Sequence, residues 1–272
     1  MTEGSNALNA TQQQKAGAFR ALHEGEAFVI PNPWDAGAAR VMEALGFKAL
    51  ATTSAGFAFT LGRNDGGVTL DELADHVSAL SGATDLPVSV DLENGFGPDP
   101  EDAATAVARA AEAGAVGGSI EDYDPEDGIY AFDHAVERVA AAVEVARSLD
   151  FPFTFTARAE NHLRGNPDLE DTIARLQAYE KAGADVLYAP GLGSADEIRA
   201  VCDATTKPVN VLGLPHLSVK EIAAAGGRRI SVGSLLTWVA VDAMADAAEK
   251  VQRYGDLSAL KVSGRIGEWL GS

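Results

Sequence analysis

The sequence has a single cysteine, Cys202, so no internal disulfide framework can form. Basic residues are scarce. Twenty-one Lys and Arg stand against 40 Asp and Glu, a formal net charge of −19. A surface of that sign repels nucleic acid and anionic membranes, so neither is expected as a partner. There is no run of 18 apolar residues, so no transmembrane helix is expected. Residues 1–14 are polar and lack the basic-then-apolar order of a secretory leader; a soluble cytoplasmic protein is expected. No Gly-x-Gly-x-x-Gly follows the first predicted strand and no Walker-type loop occurs, which removes the main signal for nucleotide-binding folds. No composition break or Pro/Ser-rich linker divides the chain, so residues 1–272 are expected to form one domain.

What is present is an alternation. Of the 272 residues 46% are apolar, enough for a large core. Strands are predicted at 27–30, 49–53, 87–90, 116–120, 153–156, 186–188, 209–211 and 229–232, with Ala-rich helices between them. A helix at 11–24 precedes the first strand, with Thr11 as N-cap and Gly25 as stop. Thr69 and Glu72 form a capping box. Helices repeatedly close on Ala-Gly-Ala or a close variant, at 112–115, 181–184 and 224–227, which suits glycine in a left-handed C-cap. Eight such units predict one α/β (β/α)8 TIM barrel, core 27–254, rather than an open doubly wound sheet. Residues 54–56 read as a turn and 57–67 as a long loop. A last helix at 257–270 lies outside the repeat and carries Leu257, Leu260, Ile266, Trp269 and Leu270 on an apolar stripe.

The chain is organised around residues 88–122. Asp91 and Glu93 follow the third strand and Glu121 the fourth, so all three belong to the C-terminal rim, where barrels of this kind carry their chemistry. Carboxylates gathered there repel one another, and a divalent cation neutralises them. Oxygen-only ligands suit a hard ion such as magnesium, with waters retained. Trp34, Asp35, Ser54, Asp122, Arg158, Glu160, Asn161, Asn210 and Ser234 are predicted on the same rim. Arg158 suits an anionic substrate because its planar fork binds carboxylate or phosphate at two points; the alternative is a structural pair with Glu160 or Glu121. Asp122 reads either as part of the site or as a cap, and Trp34 and Phe57 either as site or as ordinary core aromatics. His162 and His216 are candidate proton donors, against simple exposure. Cys202 falls mid-helix and reads as structural.

Taken together, several segments resemble the isocitrate lyase / phosphoenolpyruvate mutase superfamily over about residues 28–254. They are Ala51-Thr52-Thr53-Ser54-Ala55-Gly56, Gly62-Arg63-Asn64-Asp65, Val90-Asp91-Leu92-Glu93-Asn94-Gly95-Phe96-Gly97, Ile120-Glu121-Asp122 and Thr156-Ala157-Arg158-Ala159-Glu160. The resemblance implies a magnesium-dependent barrel, manganese being a possible substitute, that works on small 2-oxo or 2-hydroxy acids through a metal-stabilised enolate. It implies metal ligands at Asp91, Glu93 and Glu121, with glutamate at 93 where many members have aspartate. Asp65 would lie near the metal waters. Backbone N–H groups of Ser54, Ala55 and Gly56 would meet the substrate carboxylate and enolate oxygen, Arg158 its other anionic end, and Asn210 the substrate as well; Trp34 is a further rim candidate.

The departures point to a reaction class. The loop after the fourth strand reads Tyr123-Asp124-Pro125-Glu126-Asp127-Gly128-Ile129-Tyr130. It lacks the cysteine-bearing stretch of isocitrate-type lyases and the lysine and asparagine of phosphonate mutases, and its acidity would repel a phosphonate dianion. The sixth strand ends Tyr188-Ala189-Pro190 in place of a glutamate, and Leu212 and Gly213 replace serines. The expectation is a carbon–carbon lyase or decarboxylase releasing pyruvate or a relative, with Tyr123 or Tyr130 as proton donor. A mutase-type isomerase and a non-catalytic barrel are the alternatives. Such a terminal helix is often exchanged between neighbours in this superfamily, so a homodimer or homotetramer is expected.

Overall fold

The computed structural model describes residues 10–262 and 264–270. Eight parallel strands form one sheet. They are β1 (Phe28–Ile30), β2 (Leu50–Ala51), β3 (Val88–Asp91), β4 (Gly117–Glu121), β7 (Thr154–Arg158), β8 (Val186–Tyr188), β9 (Val209–Leu212) and β10 (Arg229–Ser231). The sheet order is β1-β10-β9-β8-β7-β4-β3-β2. At the seam between its two ends, Ala51 N–H donates to the Pro31 carbonyl at 3.0 Å. The result is a nearly closed barrel with helices outside, the (β/α)8 architecture. The other two strands, β5 (Tyr123–Asp124) and β6 (Gly128–Ile129), make an antiparallel hairpin directly after β4. The sequence reading treats that stretch as an open loop.

The barrel strands are apolar because helices cover them from outside and side chains fill them from inside. Val88, Val90, Ile120, Phe155, Val186, Leu187, Val209, Val211 and Ile230 are all buried. The floor is closed by the helix Gln12–Glu24. Thr11 and Gln14 form its capping box, and its inner face buries Ala16 and Phe19 completely. Phe19 packs with Ile30, Ala49 and Val116 at the strand starts. Gly117 makes room for it, since a Cβ there would lie 2.8 Å from the Phe19 ring. The same helix is pinned by Lys15 Nζ, which donates to the carbonyls of Thr84 at 2.6 Å and Ser81 at 3.1 Å.

Two segments depart from the sequence reading, and a third is a predicted helix with an exposed apolar face. Residues predicted as a turn and the start of a loop form a helix, Ser54–Thr60. Thr53 caps it, accepting from Gly56 N–H at 3.3 Å, and burial of Phe57 and Ala58 supplies the packing that propensity does not. The single terminal helix predicted at 257–270 is instead a 3-10 turn, Leu257–Leu260, and a short helix, Ile266–Leu270. Gly264, at φ +75, breaks it. Its end rests on the Ala36–Ala44 helix of the same chain, where Arg40 Nη1 donates to the Leu270 carbonyl at 3.5 Å. Finally, the helix Leu235–Tyr254 buries only Thr237 among its described residues, leaving Leu235, Leu236, Val239 and Met244 exposed.

The packing of the floor generates a stability prediction. Phe19→Ala should cost about 3–5 kcal/mol in urea unfolding, because it opens a cavity lined by rigid strand starts. A loss below about 1 kcal/mol would show that the helix is not part of the cooperative fold.

Candidate active site

The C-terminal rim is built around one guanidinium. β7 ends in Arg158, whose Nε donates to Glu160 Oε1 at 2.5 Å, Nη2 to Glu121 Oε2 at 3.1 Å and Nη1 to Asp91 Oδ1 at 3.4 Å. Strand register dictates the neighbours: Glu121 lies opposite Arg158 across β4 and β7, and Arg158 lies opposite Tyr188 across β7 and β8. The Arg158 guanidinium lies 5.3 Å from the centre of the Tyr188 ring. A second guanidinium, Arg164, donates to Glu160 at 3.0 Å and Glu121 at 3.1 Å, and stacks on Tyr123 at 3.7 Å. Glu160 is fully buried and takes both arginines. Burial opposes the charge on Arg158, but three carboxylates outweigh it and hold the group charged far beyond its ordinary range.

Glu93 has a different environment. It follows β3 in the left-handed region, φ 48, which an L side chain with a Cβ adopts at some cost. The loop is held there from outside. Buried Arg138 donates to the carbonyls of Asn94 and Asp99, and Asn94 Oδ1 accepts from Phe96 N–H at 3.0 Å. Gly95 lies against Ala103, where a Cβ would approach to 3.0 Å. Among the described residues the Glu93 carboxylate takes no ion pair. Burial, then the charges of Asp91 and Asp65, push its carboxyl up to about 8. Burial also raises Glu121, with Glu160 and Asp91 adding to the shift and Arg158 and Arg164 opposing it.

A cavity of about 300 Å³ lies against this rim. Ser54, Ala55, Asp65, Asp91, Arg158 and Asn210 line it. Ser54 and Ala55 are the first residues of their helix, where N–H groups lack an intrahelical acceptor. The N–H of Gly56 is already bonded to Thr53, so it is not free for substrate. Gly56 serves close packing instead, because a Cβ would meet Thr53 Cγ2 at 2.5 Å and Thr237 Oγ1 at 2.7 Å. Trp34 is half-buried beside Gly56, outside the lining. Asp35 is the N-cap of the next helix, accepting from Ala38 N–H at 2.7 Å.

At the deep end stands a residue whose role the sequence reading missed. Arg229, the first residue of β10, lines the cavity and is 5% exposed. Its Nε donates to Asn210 Oδ1 at 2.8 Å, its Nη2 to Thr156 Oγ1 at 3.0 Å, and its Nη1 faces His23 Nε2 at 3.4 Å. All three partners are uncharged. Burial, then the Arg229 charge, pulls His23 down to about 3, and its Nδ1 contacts the Phe19 carbonyl at 2.8 Å. Among the described residues no carboxylate offsets Arg229, and burial lowers its guanidinium to about 10. A charged side chain inside a strand otherwise reading Ile-Ser-Val was the available signal. Asn210 is thereby tied on both sides, its Nδ2 donating to Ser231 Oγ at 3.0 Å.

The remaining candidates fall elsewhere. Asp122 faces inward to structure: it accepts from Tyr179 Oη at 2.5 Å, Glu160 N–H at 2.8 Å and Arg175 Nη1 at 3.1 Å. Tyr123 is half-buried in the β5–β6 hairpin under Arg164. The Tyr130 hydroxyl donates to Asp124 Oδ2 at 3.2 Å. His216 is exposed and bonded to the Gly193 carbonyl at 2.9 Å, and His162 does not line the cavity. Burial and Asp203 push the Cys202 thiol up to about 11, far from nucleophilic use. Among the described residues no three His, Cys, Asp or Glu side chains converge as a metal site. Asp91, Glu93 and Glu121 therefore share the rim without closing on one point.

Comparison with known proteins matches this geometry to a family. The phosphoenolpyruvate phosphomutase family profile matches residues 19–252. The chain is 32% identical to 2-methylisocitrate lyase of Halalkalibacterium halodurans, over 80% of this chain and 73% of that one. It is 30% identical to oxaloacetate decarboxylase of Paraburkholderia xenovorans, over 94% and 87%. A crystal structure from Burkholderia cenocepacia J2315 superposes with a TM-score of 0.92 at 53% identity, covering 96% of this chain and 97% of that one. A barrel of this order with acidic strand ends at β3 and β4 and an arginine ending β7, matched over most of its length, belongs to the phosphoenolpyruvate phosphomutase family.

Proposed function

We propose that this protein is a magnesium-dependent carbon–carbon lyase or decarboxylase that acts on a small 2-oxo or 2-hydroxy diacid and releases pyruvate or a close relative. The observation that carries the reading is the charge balance of the rim. Of the carboxylates buried or half-buried at this rim, four (Asp91, Glu93, Glu121, Glu160) face two guanidiniums (Arg158, Arg164), an excess of two negative charges, while Asp65 beside Glu93 is exposed to solvent. Two protons or one divalent cation neutralise that excess. The donors are oxygens alone, which fits magnesium, and magnesium needs only one or two direct carboxylates when waters complete its shell. Asp91 and Glu93 would hold it, with Asp65 and Glu121 acting through water. Bound there, it would stabilise negative charge developing on the 2-oxo oxygen as a carbon–carbon bond breaks.

The chain's own residues support the same chemistry. Arg158 is locked by its three carboxylates and keeps Asp91 in place. The N–H groups of Ser54 and Ala55 border the cavity and suit an anionic oxygen. The electron pair of the broken bond would pass to the oxygen, and the new carbon–hydrogen bond would take its proton from solvent or from a hairpin tyrosine. The β5–β6 hairpin carries Asp124, Glu126 and Asp127 and neither lysine nor cysteine, which disfavours a phosphonate dianion and so the mutase-type isomerase. The decarboxylase and lyase relatives are consistent with this reading. Among the described residues no helix is long and apolar enough to cross a membrane.

The exposed stripe of the Leu235–Tyr254 helix suits a second copy of the chain, so a homodimer or homotetramer is part of the proposal. Light scattering should show a species larger than one chain at micromolar concentration; a monomer would remove this part.

Two further measurements test the rest. Below pH 8 the carboxyl of Glu93 is mostly protonated without metal, so magnesium binding should release protons there. Its affinity should then rise as pH increases toward 8, and calorimetry in buffers of differing ionisation enthalpy reads the proton count. Binding without proton release would overturn the charge-balance argument. Pyruvate release should be measured from oxaloacetate, alkylmalates, methylisocitrate and phosphonopyruvate, with magnesium and with chelator. Chelator-sensitive turnover of a diacid, reduced at least ~100-fold by Asp91→Ala, is expected. Turnover of phosphonopyruvate alone would support the mutase instead.

A further inference from the structure

We infer that Arg229, at the deep end of the cavity, is a receptor for a carboxylate group of the bound acid and so a specificity-determining residue for dianions. The inference rests on the reading of the protein as an enzyme of small diacids and adds where one acidic group is bound.

Two arginines line this cavity, and their surroundings are opposite. Arg158 is surrounded by Asp91, Glu121 and Glu160, so its charge is spent inside the protein. Arg229 is 5% exposed, and among the described residues its hydrogen-bond partners are the neutral Asn210, Thr156 and His23, with the Tyr188 phenol as the nearby titratable group. A guanidinium has five N–H donors, and these three contacts leave two without a protein acceptor. A buried cation with no counter-ion is costly, and folds usually pair it or replace it. Among the described residues no acidic side chain pairs with this one. The fold instead orients it. Asn210 is held by Ser231 so that its oxygen faces Arg229 Nε, and His23 offers an acceptor nitrogen because its other ring nitrogen is bonded to the Phe19 carbonyl. An arginine preorganised in this way, open to a cavity that also holds Asp91, suits a carboxylate supplied from outside.

Depth sets the geometry. Arg229 reaches His23 of the Gln12–Glu24 helix through Nη1 and Thr156, two residues before the end of β7, through Nη2, so its guanidinium lies nearer the floor that this helix closes than Arg158 does. A diacid held at the rim by one end would reach toward Arg229 with the other. Monoacids of equal length would lose that contact. Asn210 and Thr156 then act as positioning residues, through Arg229.

The test is binding of plain dicarboxylates, malonate through glutarate, with chelator present so that neither metal nor turnover contributes. Thermal unfolding and calorimetry should be run on wild type, Arg229→Met and Arg229→Lys. At least one dicarboxylate should raise the wild-type midpoint and bind at least tenfold tighter than the matching monocarboxylate. Arg229→Met should abolish that preference, and Arg229→Lys should retain part of it. Without ligand, Arg229→Met should unfold no lower than wild type, because it removes an uncompensated buried charge. A purely structural arginine would give the reverse: a lower midpoint in the ligand-free variant with dicarboxylate preference unchanged. That result, or no dicarboxylate preference in wild type, overturns the inference. Dicarboxylate binding without turnover of the diacid panel would leave it standing while removing the lyase reading.

Discussion

The structure depends on repulsion among carboxylates at the C-terminal rim. Glu160 and Glu121 are buried, Asp91 is half-buried, and all three touch one guanidinium. Remove Arg158 and Asp91 loses its cation, while Glu121 and Glu160 keep only Arg164 in a medium that screens their repulsion poorly, at several kcal/mol. Arg158 therefore fixes where β3, β4 and β7 end relative to one another. The sheet register supports it, setting Glu121 opposite Arg158 and Arg158 opposite Tyr188 without further adjustment. The arrangement still does not reach neutrality, and the remainder falls on Glu93, which has no cationic partner of its own among the described residues. Glu93 also sits in the left-handed region at φ 48, and Arg138 holds its loop through the Asn94 and Asp99 carbonyls.

Most of the fold was legible in the sequence because its signals are local and repeated. Short apolar runs, glycine after most helices and side-chain caps such as Thr11, Thr69 and Ser218 specify elements whatever their neighbours do. The failures lie where distant packing decides. Ser54–Thr60 is helical because Phe57 finds His76, with ring centres 3.8 Å apart, and 54–60 alone does not show it. The terminal stripe of Leu257 to Leu270 has a helical period, yet Gly264 interrupts it and the chain turns back onto its own second helix. Residue type revealed the hairpin's acidity, but the Asp124 turn that accepts from the N–H groups of Glu126 and Asp127 could be seen only once the strands were placed.

The site divides along the same line. Acidic strand ends are visible as letters, so Asp91, Glu93, Glu121 and Arg158 could be named in advance. How their charges are shared could not. Arg158 reads from sequence either as the group that meets substrate or as a structural partner of Glu160 or Glu121; it lines the cavity and is paired with both, and with Asp91 as well. Asn210 reads as a direct contact, but both ends of its amide are bonded to Ser231 and Arg229. Arg229 is visible in sequence as a charge heading an apolar strand, but what sets it apart is spatial: its hydrogen-bond partners are neutral.

Charge, then, is distributed along the barrel axis rather than gathered at one point. The rim has excess acid, partly offset by guanidiniums that are locked in place. The deep end has excess base, surrounded by neutral hydrogen-bond partners. An uncharged molecule gains from neither. A divalent cation held at the rim, as proposed above, would offset the acid there and leave Arg229 as the uncompensated charge. That separation of charge acts through long-range Coulomb terms, so it belongs to the arrangement of the barrel as much as to any one residue.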